Sequence, residues 1–256
     1  MNCHNRQHGF TLVEILVALT ISLFLVAGIL QIFLNSKQTY RAQEGLSRIQ
    51  ENGRFAIDIL GSNIRQTGYA AISTSTTSGY SKFTDGAGTA ITGTEGASGA
   101  TDDITVSFDS TTDCLGSATP TPGVAVPDGN VQRAINRFFA DANNNLACLG
   151  NGNVAPQPLI EGVEDMQIWY GVDTDGDQTA NTYVVAPAAG SSTWNNVVSV
   201  RICLLLRSVE DNLVDQPLTY QNCNGTPTTA GDRRLRRLFT ATFNLRNRIN
   251  SSPALF

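Results

Sequence analysis

The stretch Gly9–Leu34, GFTLVEILVALTISLFLVAGILQIFL, decides how the rest of the sequence is interpreted. From Phe10 to Leu34 it contains a single charged residue, Glu14. As an α-helix rising about 1.5 Å per residue, this run is more than about 30 Å long, which is enough to cross a bilayer. A secretory signal has a shorter apolar core followed by a cleavage site of small residues, and this run has neither. The sequence therefore predicts a membrane-inserted helix.

The flanks of the apolar run indicate its orientation. The residues before Phe10 are polar and carry Arg6, which favours an N-terminus in the cytoplasm. Lys37 and Arg41 on the far side weaken this preference.

Inside the run, the carboxylate of Glu14 costs about 2.5–3.5 kcal/mol. A plain signal anchor is the simplest interpretation, but it has no use for that charge.

Residues Gly9–Leu19, GFTLVEILVAL, resemble the type III signal of type IV prepilins and pseudopilins. The resemblance implies that residues 1–9 are a leader, which a prepilin peptidase removes by cutting between Gly9 and Phe10. It also implies that Phe10 becomes an N-methylated N-terminus, and that Glu14 pairs with the α-amino group of a neighbouring subunit during assembly. The physical argument agrees, because a carboxylate in lipid needs a cation as its partner. Snorkelling of Glu14 to the nearby interface is the alternative.

Cleavage after Gly9 would remove every histidine, since His4 and His8 both lie in the leader. The mature chain would then lack the commonest general base and the commonest metal ligand. The sequence contains no P-loop, no Gly-x-Ser-x-Gly motif and no cysteine–histidine spacing typical of zinc sites. We therefore expect no enzymatic activity and no cofactor, apart from the calcium ion considered below.

The cysteines indicate an oxidising compartment. Cys3 would leave with the leader, and the cysteines that remain are Cys114, Cys148, Cys203 and Cys223. The membrane helix places them outside the cytoplasm, where disulfides persist. More than one pairing is possible. We favour the sequence-local one, Cys114 with Cys148 and Cys203 with Cys223, and four free buried thiols are the alternative.

The helix is expected to continue beyond the membrane, from Phe10 to about Ile64. Residues 10–34 would form the transmembrane or filament-core part, and residues 35–64 an amphipathic continuation with apolar and small residues at three- and four-residue spacing. These residues are Leu46, Ile49, Gly53, Ala56, Leu60 and Ile64. Glycines each weaken a helix by up to about 1 kcal/mol. Those at Gly28, Gly45, Gly53 and Gly61 could permit bending, permit close contacts or be neutral.

Residues 65–256 are expected to form a globular, β-rich head. Residues 70–101 are rich in Ser, Thr, Gly and Ala, which predicts a loop with at most short strands. Alternating apolar and polar residues predict strands at 104–108, 166–172, 198–206 and 235–245. In the last of these, the polar face would hold Arg236, Thr240, Thr242, Asn244, Arg246 and Arg248. The predicted fold is α+β, with the long helix packed on an antiparallel sheet.

Two further stretches narrow the resemblance. LIEGVEDMQIWYGVDTDGD at Leu159–Asp177 and LRRLFTATFNLRNR at Leu235–Arg248 resemble the PilW family of minor pilins. The family implies a low-abundance subunit that is anchored in the inner membrane with a periplasmic head and then enters an extracellular pilus. It implies a role in starting assembly and a place at or near the tip. The implied partners are other minor pilins, the major pilin, the inner-membrane assembly platform and a large adhesin-like tip protein.

Two other functions are compatible with the same sequence. One is a minor pseudopilin of a type II secretion system, which would carry the same N-terminal signal. The other is a signal-anchored periplasmic binding protein that never assembles. Processing by a prepilin peptidase separates the second alternative from the pilins.

The loop sequence DTDGDQTAN is a candidate calcium site. Its oxygen-bearing side chains include Asp173, Asp175, Asp177 and Asn181. Carboxylates this close repel one another, and Ca²⁺, which takes six to eight oxygen ligands, would relieve the repulsion. The EF-hand pattern fails, however, since Gln178 stands where glycine is expected and Val184 where the bidentate glutamate is expected. The alternative is an Asp-Gly hairpin loop with solvated carboxylates.

A cluster of arginines near the C-terminus is a candidate site for DNA phosphates. Its members are Arg233, Arg234, Arg236, Arg237, Arg246 and Arg248. No regular aromatic interleaving supports base stacking, and a net charge of -5 gives no general attraction to nucleic acid. We therefore expect these arginines on the solvent face of the last strand or in a subunit interface, with no nucleic acid as partner.

Overall fold

A computed structural model describes residues 11–69, 90–97, 100–119 and 132–247. The predicted cleavage site at Gly9 and Phe10, and Arg248, lie outside these ranges. The elements are a helix α1 (Leu12–Gln66), a short 3₁₀ helix (Ser192–Asn196) and the following strands. They are β1 (Ile91–Thr94), β2 (Asp103–Asp109), β3 (Arg133–Ala140), β4 (Asn145–Gly150), β5 (Gln157–Glu161), β6 (Val163–Val172), β7 (Thr182–Val184), β8 (Val197–Arg207), β9 (Thr219–Gln221), β10 (Pro227–Thr229) and β11 (Arg236–Asn244). The chain divides into two compact units after Glu44.

The second unit contains the amphipathic half of α1. There the helix buries Gly45, Ile49, Gly53, Ala56, Leu60, Gly61 and Ile64. The predicted face is thus confirmed except at Leu46, which is 38% exposed. The helix ends at Gln66, where the side-chain Nδ2 of Asn247 donates to the carbonyl oxygens of Arg65 and Gln66. Two carbonyls without an intrahelical partner are satisfied in this way.

A four-stranded antiparallel sheet in the order β11-β8-β6-β7 packs on this helix. Its register places Phe239, Leu204 and Met166 in one row across three strands. Two residues further along, Ala241, Ile202 and Ile168 form the next row. Because side chains two residues apart share a face of a strand, these rows build one apolar surface toward the core. The predicted strands at 166–172, 198–206 and 235–245 are therefore confirmed.

The strand predicted at 104–108 also exists, as β2, but it belongs to another sheet. That sheet has five strands in the order β1-β2-β3-β4-β5. The expectation of a single sheet is wrong because residues 132–161 fold back beside β2 as three further strands. The turn between β3 and β4 has Asn144 at φ 62, a left-handed conformation that asparagine tolerates. Strand β1 lies within the predicted loop 70–101, where only short strands were expected.

Asp102 links the two sheets. Its backbone N–H donates to the carbonyl of Met166 over 2.8 Å, and its carboxylate accepts from the N–H of Ile168 over 2.7 Å. The same carboxylate accepts from the N–H of Gly96 over 2.9 Å. Burial raises the pKa of Asp102 to about 6. One buried acid therefore holds the loop before β2 against the centre of β6.

Candidate functional site

The N-terminal end of α1 holds the predicted assembly residue, Glu14. Its carboxylate accepts hydrogen bonds from the backbone N–H of Thr11 over 3.0 Å and from the Thr11 hydroxyl over 3.1 Å. In return, the N–H of Glu14 donates to Oγ1 of Thr11 over 3.3 Å. This reciprocal arrangement is a capping box, which satisfies free N–H groups at a helix start. Glu14 thus has a local structural role in addition to the predicted intersubunit pairing.

Thr11 is a residue that the sequence reasoning missed. The signal was present, because Thr11-Leu12-Val13-Glu14 matches the Thr-x-x-Glu pattern that precedes an apolar helix. The capping box leaves Glu14 with its charge and with one oxygen, Oε1, that takes no part in these bonds. A cation from outside the chain can therefore be bound without breaking the cap.

The first unit presents an uncovered apolar helix. Every residue from Thr11 to Arg41 is exposed, including large apolar side chains such as Phe24 and Phe33. The helix is long and apolar enough to cross a membrane. Two of its side-chain hydroxyls bond to the backbone of the helix itself. Thr20 donates to the carbonyl of Val17, and Ser22 donates to that of Ala18. A surface of this kind requires lipid or other apolar helices around it.

The cysteines are paired in the sequence-local way. Cys114 is bonded to Cys148 with 6.6 Å between Cα atoms, and Cys203 to Cys223 with 5.7 Å. The first bond ties the segment after β2 to β4 in the five-stranded sheet. The second ties β8 to the loop of a hairpin in which β9 and β10 pair antiparallel. Each bond therefore fastens an irregular segment to a central strand of one sheet.

The aspartate-rich loop is a β-hairpin connection, as the alternative interpretation predicted, because β6 and β7 pair antiparallel on either side of it. Asp173 is buried and accepts from the N–H groups of Asp175, Gly176 and Gln178. The bond from Gly176 is the main cause of a lowered pKa of Asp173. Ligand oxygens of Asp173, Asp175 and Asp177 lie within 4.8 Å of one another. Hydrogen bonds within the loop thus already fold it around Asp173.

Asn181 closes the same loop from its far end. Its side-chain oxygen accepts from the N–H of Thr174 over 2.7 Å, and its Nδ2 donates to Asp175 over 3.0 Å. A cation at this position would have to share these oxygens with the hydrogen bonds that now hold the loop. Calcium binding by Asp173, Asp175, Asp177 and Asn181 is a hypothesis that a calcium titration tests against a loop held by its own hydrogen bonds.

The arginine cluster is only partly a surface feature. Arg236 was predicted on the solvent face of β11, but its side chain is only 5% exposed. It lies 2.7 Å from Glu164 and 2.6 Å from Asp232, and its guanidinium lies 5.0 Å from the ring of Tyr220. The prediction failed because the segment that carries Asp232 and Tyr220 folds over this face of the sheet. Arg236 therefore fastens that segment.

Two other arginines of the cluster are also used inside the chain. Arg234 donates to the carbonyls of Ser208 and Val209, and Arg233 donates to the side chain of Asn212. Arg237 and Arg246 are exposed, as predicted. The structure thus separates the cluster into residues that hold the loop after β8 and residues that face outward.

Parts of this chain are similar to two described families and to solved structures. Residues 131–247 match the family described as type IV pilus-assembly protein W, and residues 4–30 match the prokaryotic N-terminal methylation motif. A type IV-like pilin from Thermus thermophilus has 15% sequence identity and a TM-score of 0.42, covering 78% of this chain and 98% of that chain. A chain of the GspK-GspI-GspJ complex of the enterotoxigenic Escherichia coli type 2 secretion system has 10% identity and a TM-score of 0.34, covering 76% and 96%. No curated protein matches this chain.

Proposed function

We propose that this chain is a PilW-type minor pilin, which helps to start assembly of a type IV pilus and stays at or near the pilus tip. The observation that carries the proposal is the start of α1. There, Glu14 lies in the first turn of an exposed apolar helix, and its carboxylate takes part in the capping box. Neighbouring subunits can cover that helix, and an N-terminal amine of one of them can neutralise the carboxylate.

The head supports a position at the end of the filament. It carries two sheets and a disulfide-bonded hairpin, so it is bulky for a shaft in which identical heads pack around the helices. Head-to-tail contacts that do not close produce a helical filament. A bulky subunit is most easily accommodated where no further subunit follows it. As partners we propose other minor pilins, the major pilin, the inner-membrane assembly platform and a large tip adhesin.

The proposed location follows from the same helix. Before assembly, α1 would anchor the chain in the inner membrane, with the head in the periplasm. The two disulfides are compatible with that oxidising compartment. After cleavage between Gly9 and Phe10, the subunit would be extracted into the pilus.

Glu14→Gln is the test, because glutamine can keep the capping box while the charge is removed. We expect the variant to be cleaved by a prepilin peptidase and methylated like the wild type, as judged by mass spectrometry of the N-terminus. We expect its incorporation into sheared pili to fall at least tenfold. Normal incorporation would show that the charge has no role in assembly.

Thr11→Val is the matched control, since it removes the two capping bonds made by the Thr11 hydroxyl and leaves the charge of Glu14. A defect equal to that of Glu14→Gln would assign the effect to helix capping rather than to charge pairing. A chain that the peptidase does not shorten would contradict the pilin function altogether. Incorporation into a secretion pseudopilus instead of a pilus would support the pseudopilin alternative.

A further inference from the structure

The last strand, β11, ends the four-stranded sheet. Among the described residues it pairs with β8 alone, in a register that continues without a bulge from Arg236 to Asn244. Four of its nine residues are exposed, whereas β8, with a strand on each side, exposes only Arg201. An edge strand of this length presents a row of backbone groups to any other extended segment.

The hydrogen bonds at its two ends show which backbone groups are presented. The N–H of Ser208 donates to the carbonyl of Leu235, and the N–H of Leu245 donates to the carbonyl of Val198. In an antiparallel ladder the bonded pairs alternate with non-bonded pairs. Odd-numbered residues of β11 are therefore bonded to β8. The N–H and C=O groups of Leu238, Thr240 and Thr242 point the other way, to the free side.

The other sheet edges in the described part of the chain are blunted. Strand β7 has three residues and β1 has four. Strand β5 contains Pro158 and pairs with β4 through a register shift at Leu146. Short strands, proline and irregular pairing are the ordinary devices against edge-to-edge association. Strand β11 is long, regular and free of proline, and its one exposed charge, Arg237, lies near its start. Its central residues, LFTATF, favour extended structure.

A groove lies directly beside this edge. It has a volume of about 900 Å³, and its lining includes Phe55 and Ile57 of α1 together with Phe243 of β11. Phe55 is 51% exposed, so the groove presents an aromatic ring to solvent. A strand added to β11 would place every second side chain over this groove, because side chains alternate between the two faces.

The charge at the edge indicates which side chains such a strand carries. The guanidinium of Arg65 lies 5.6 Å from the ring of Phe243, and that of Arg237 lies 5.9 Å from the ring of Phe239. Two cations thus stand where inward-facing side chains of an added strand would arrive. Arg54 and Arg65 line the groove together with Glu51 and Asp58, so the charges of the lining balance. Arg237, beside the groove on β11, adds one further positive charge at the edge. Carboxylates on the incoming strand would be attracted.

We propose that the free edge of β11 and the groove beside α1 receive an extended, acidic strand from the head of a neighbouring pilus subunit. The inference deepens the proposed function, since it names the surface through which one neighbour is held. Backbone hydrogen bonds would supply the affinity, and the groove and its arginines would supply the selectivity.

Hydrogen exchange on the full chain, assembled in detergent with the purified minor pilins of the same system, tests the proposal. We expect the amides of residues 236–244 to become protected at least tenfold in the complex, while those of the β9–β10 hairpin do not change. A complex that forms without protection of β11 would overturn the docking surface and leave the proposed function intact. Failure to form any complex would contradict the proposed function and the docking surface together. Protection in the isolated chain through self-association would identify a second copy as the occupant and overturn the heterologous strand.

Two variants make the result specific. Thr240→Pro removes an N–H that points to the free side and spares the ladder to β8, so we expect at least tenfold less complex with a normal near-ultraviolet circular dichroism spectrum. Thr240→Val keeps that N–H and should form the complex like the wild type. Arg65→Glu reverses the charge at the edge and should also weaken the complex about tenfold. Equal complex formation by Thr240→Pro and wild type would refute strand addition.

Discussion

The ring of Phe239 on β11 packs against the backbone of Gly53 on α1. A methyl group added at Gly53 would lie within 2.6 Å of three atoms of that ring. Eight residues further along the helix, Gly61 meets Phe243 in the same way. Of the possible roles of these glycines, the structure thus shows close contact at Gly53 and Gly61. The helix approaches the sheet closely because these positions lack a side chain.

We expect Gly53→Ala to destabilise the head. Forcing a methyl group into the Phe239 ring costs about 1–3 kcal/mol, which outweighs the gain of about 1 kcal/mol in helix propensity. Gly45→Ala is the matched control, because the one close contact of its methyl group would be with the end of a side chain, Cδ1 of Leu213 at 2.5 Å, and its next neighbours lie at ordinary distances of 3.8 and 3.9 Å. That variant should be neutral or slightly stabilised. Urea unfolding of both variants measures the difference, and equal stabilities would contradict the close-contact explanation.

Arg236→Met should lower the free energy of unfolding by about 2–4 kcal/mol. The substitution leaves Glu164 and Asp232 without their cation, and removing one partner of a buried ion pair costs about 3–5 kcal/mol. The loss expected here is smaller than that for a fully buried pair, because the side chains of both carboxylates are 23–24% exposed. Arg237→Met, one residue along the same strand and exposed, should change stability by less than about 0.5 kcal/mol.

The loss of stability in Arg236→Met should depend on pH, and the pKa of Asp232 gives the sign of that dependence. Hydrogen bonds from Arg236 lower the pKa of Asp232. The pair therefore stabilises the fold fully above the pKa of an unfolded aspartate, and this stabilisation is lost as the pH falls through the lower pKa of the folded state. The difference in stability between wild type and Arg236→Met should therefore shrink at pH 3 and below. A difference that is constant from neutral to acid pH would show that packing, not the ion pair, carries the effect.

Asp102 should give the opposite pH dependence. Burial raises its pKa from 3.8 to about 6, so the folded state favours the protonated acid. Its contribution to stability is complete below the unfolded pKa and is lost as the pH rises through the folded pKa. Between about pH 4 and 6, wild-type stability should fall with rising pH more steeply than that of Asp102→Asn. Parallel pH profiles of the two proteins, measured by urea unfolding, would show that Asp102 titrates normally.

The loop at Asp173–Asn181 should stay folded without a metal ion. Its backbone N–H groups are already bonded to Asp173, so we expect neither EDTA nor millimolar calcium to change the Tm. Asp173→Ala should lower the Tm, because it removes the acceptor of those N–H groups. Asp177→Asn should change the Tm little, since Asp177 is exposed and bonds mainly to Thr179. A rise in Tm with calcium that Asp177→Asn abolishes would establish the metal site instead.

The sequence reasoning succeeded where a short-range pattern carries the information. The face of α1 around Ile49, Ala56 and Leu60 and the strands β6, β8 and β11 follow from spacing alone, because one apolar face must be buried. It failed where distant segments meet. Strands β3 to β5 show little alternation, and nothing near Arg236 in the sequence signals that Glu164 would come to lie 2.7 Å away.

The apolar helix, its single carboxylate and the Thr-x-x-Glu cap are properties of adjacent residues, so the sequence by itself determined the membrane anchor, the prepilin-type signal and the α+β class. Within the described part of the chain, tertiary structure alone decided the separation of the five-stranded from the four-stranded sheet, the burial of Arg236 and the unpaired edge of β11. The physical reason is that helix and strand periodicity arise within a few residues. Sheet order, ion pairs and free edges depend on which distant strands become neighbours.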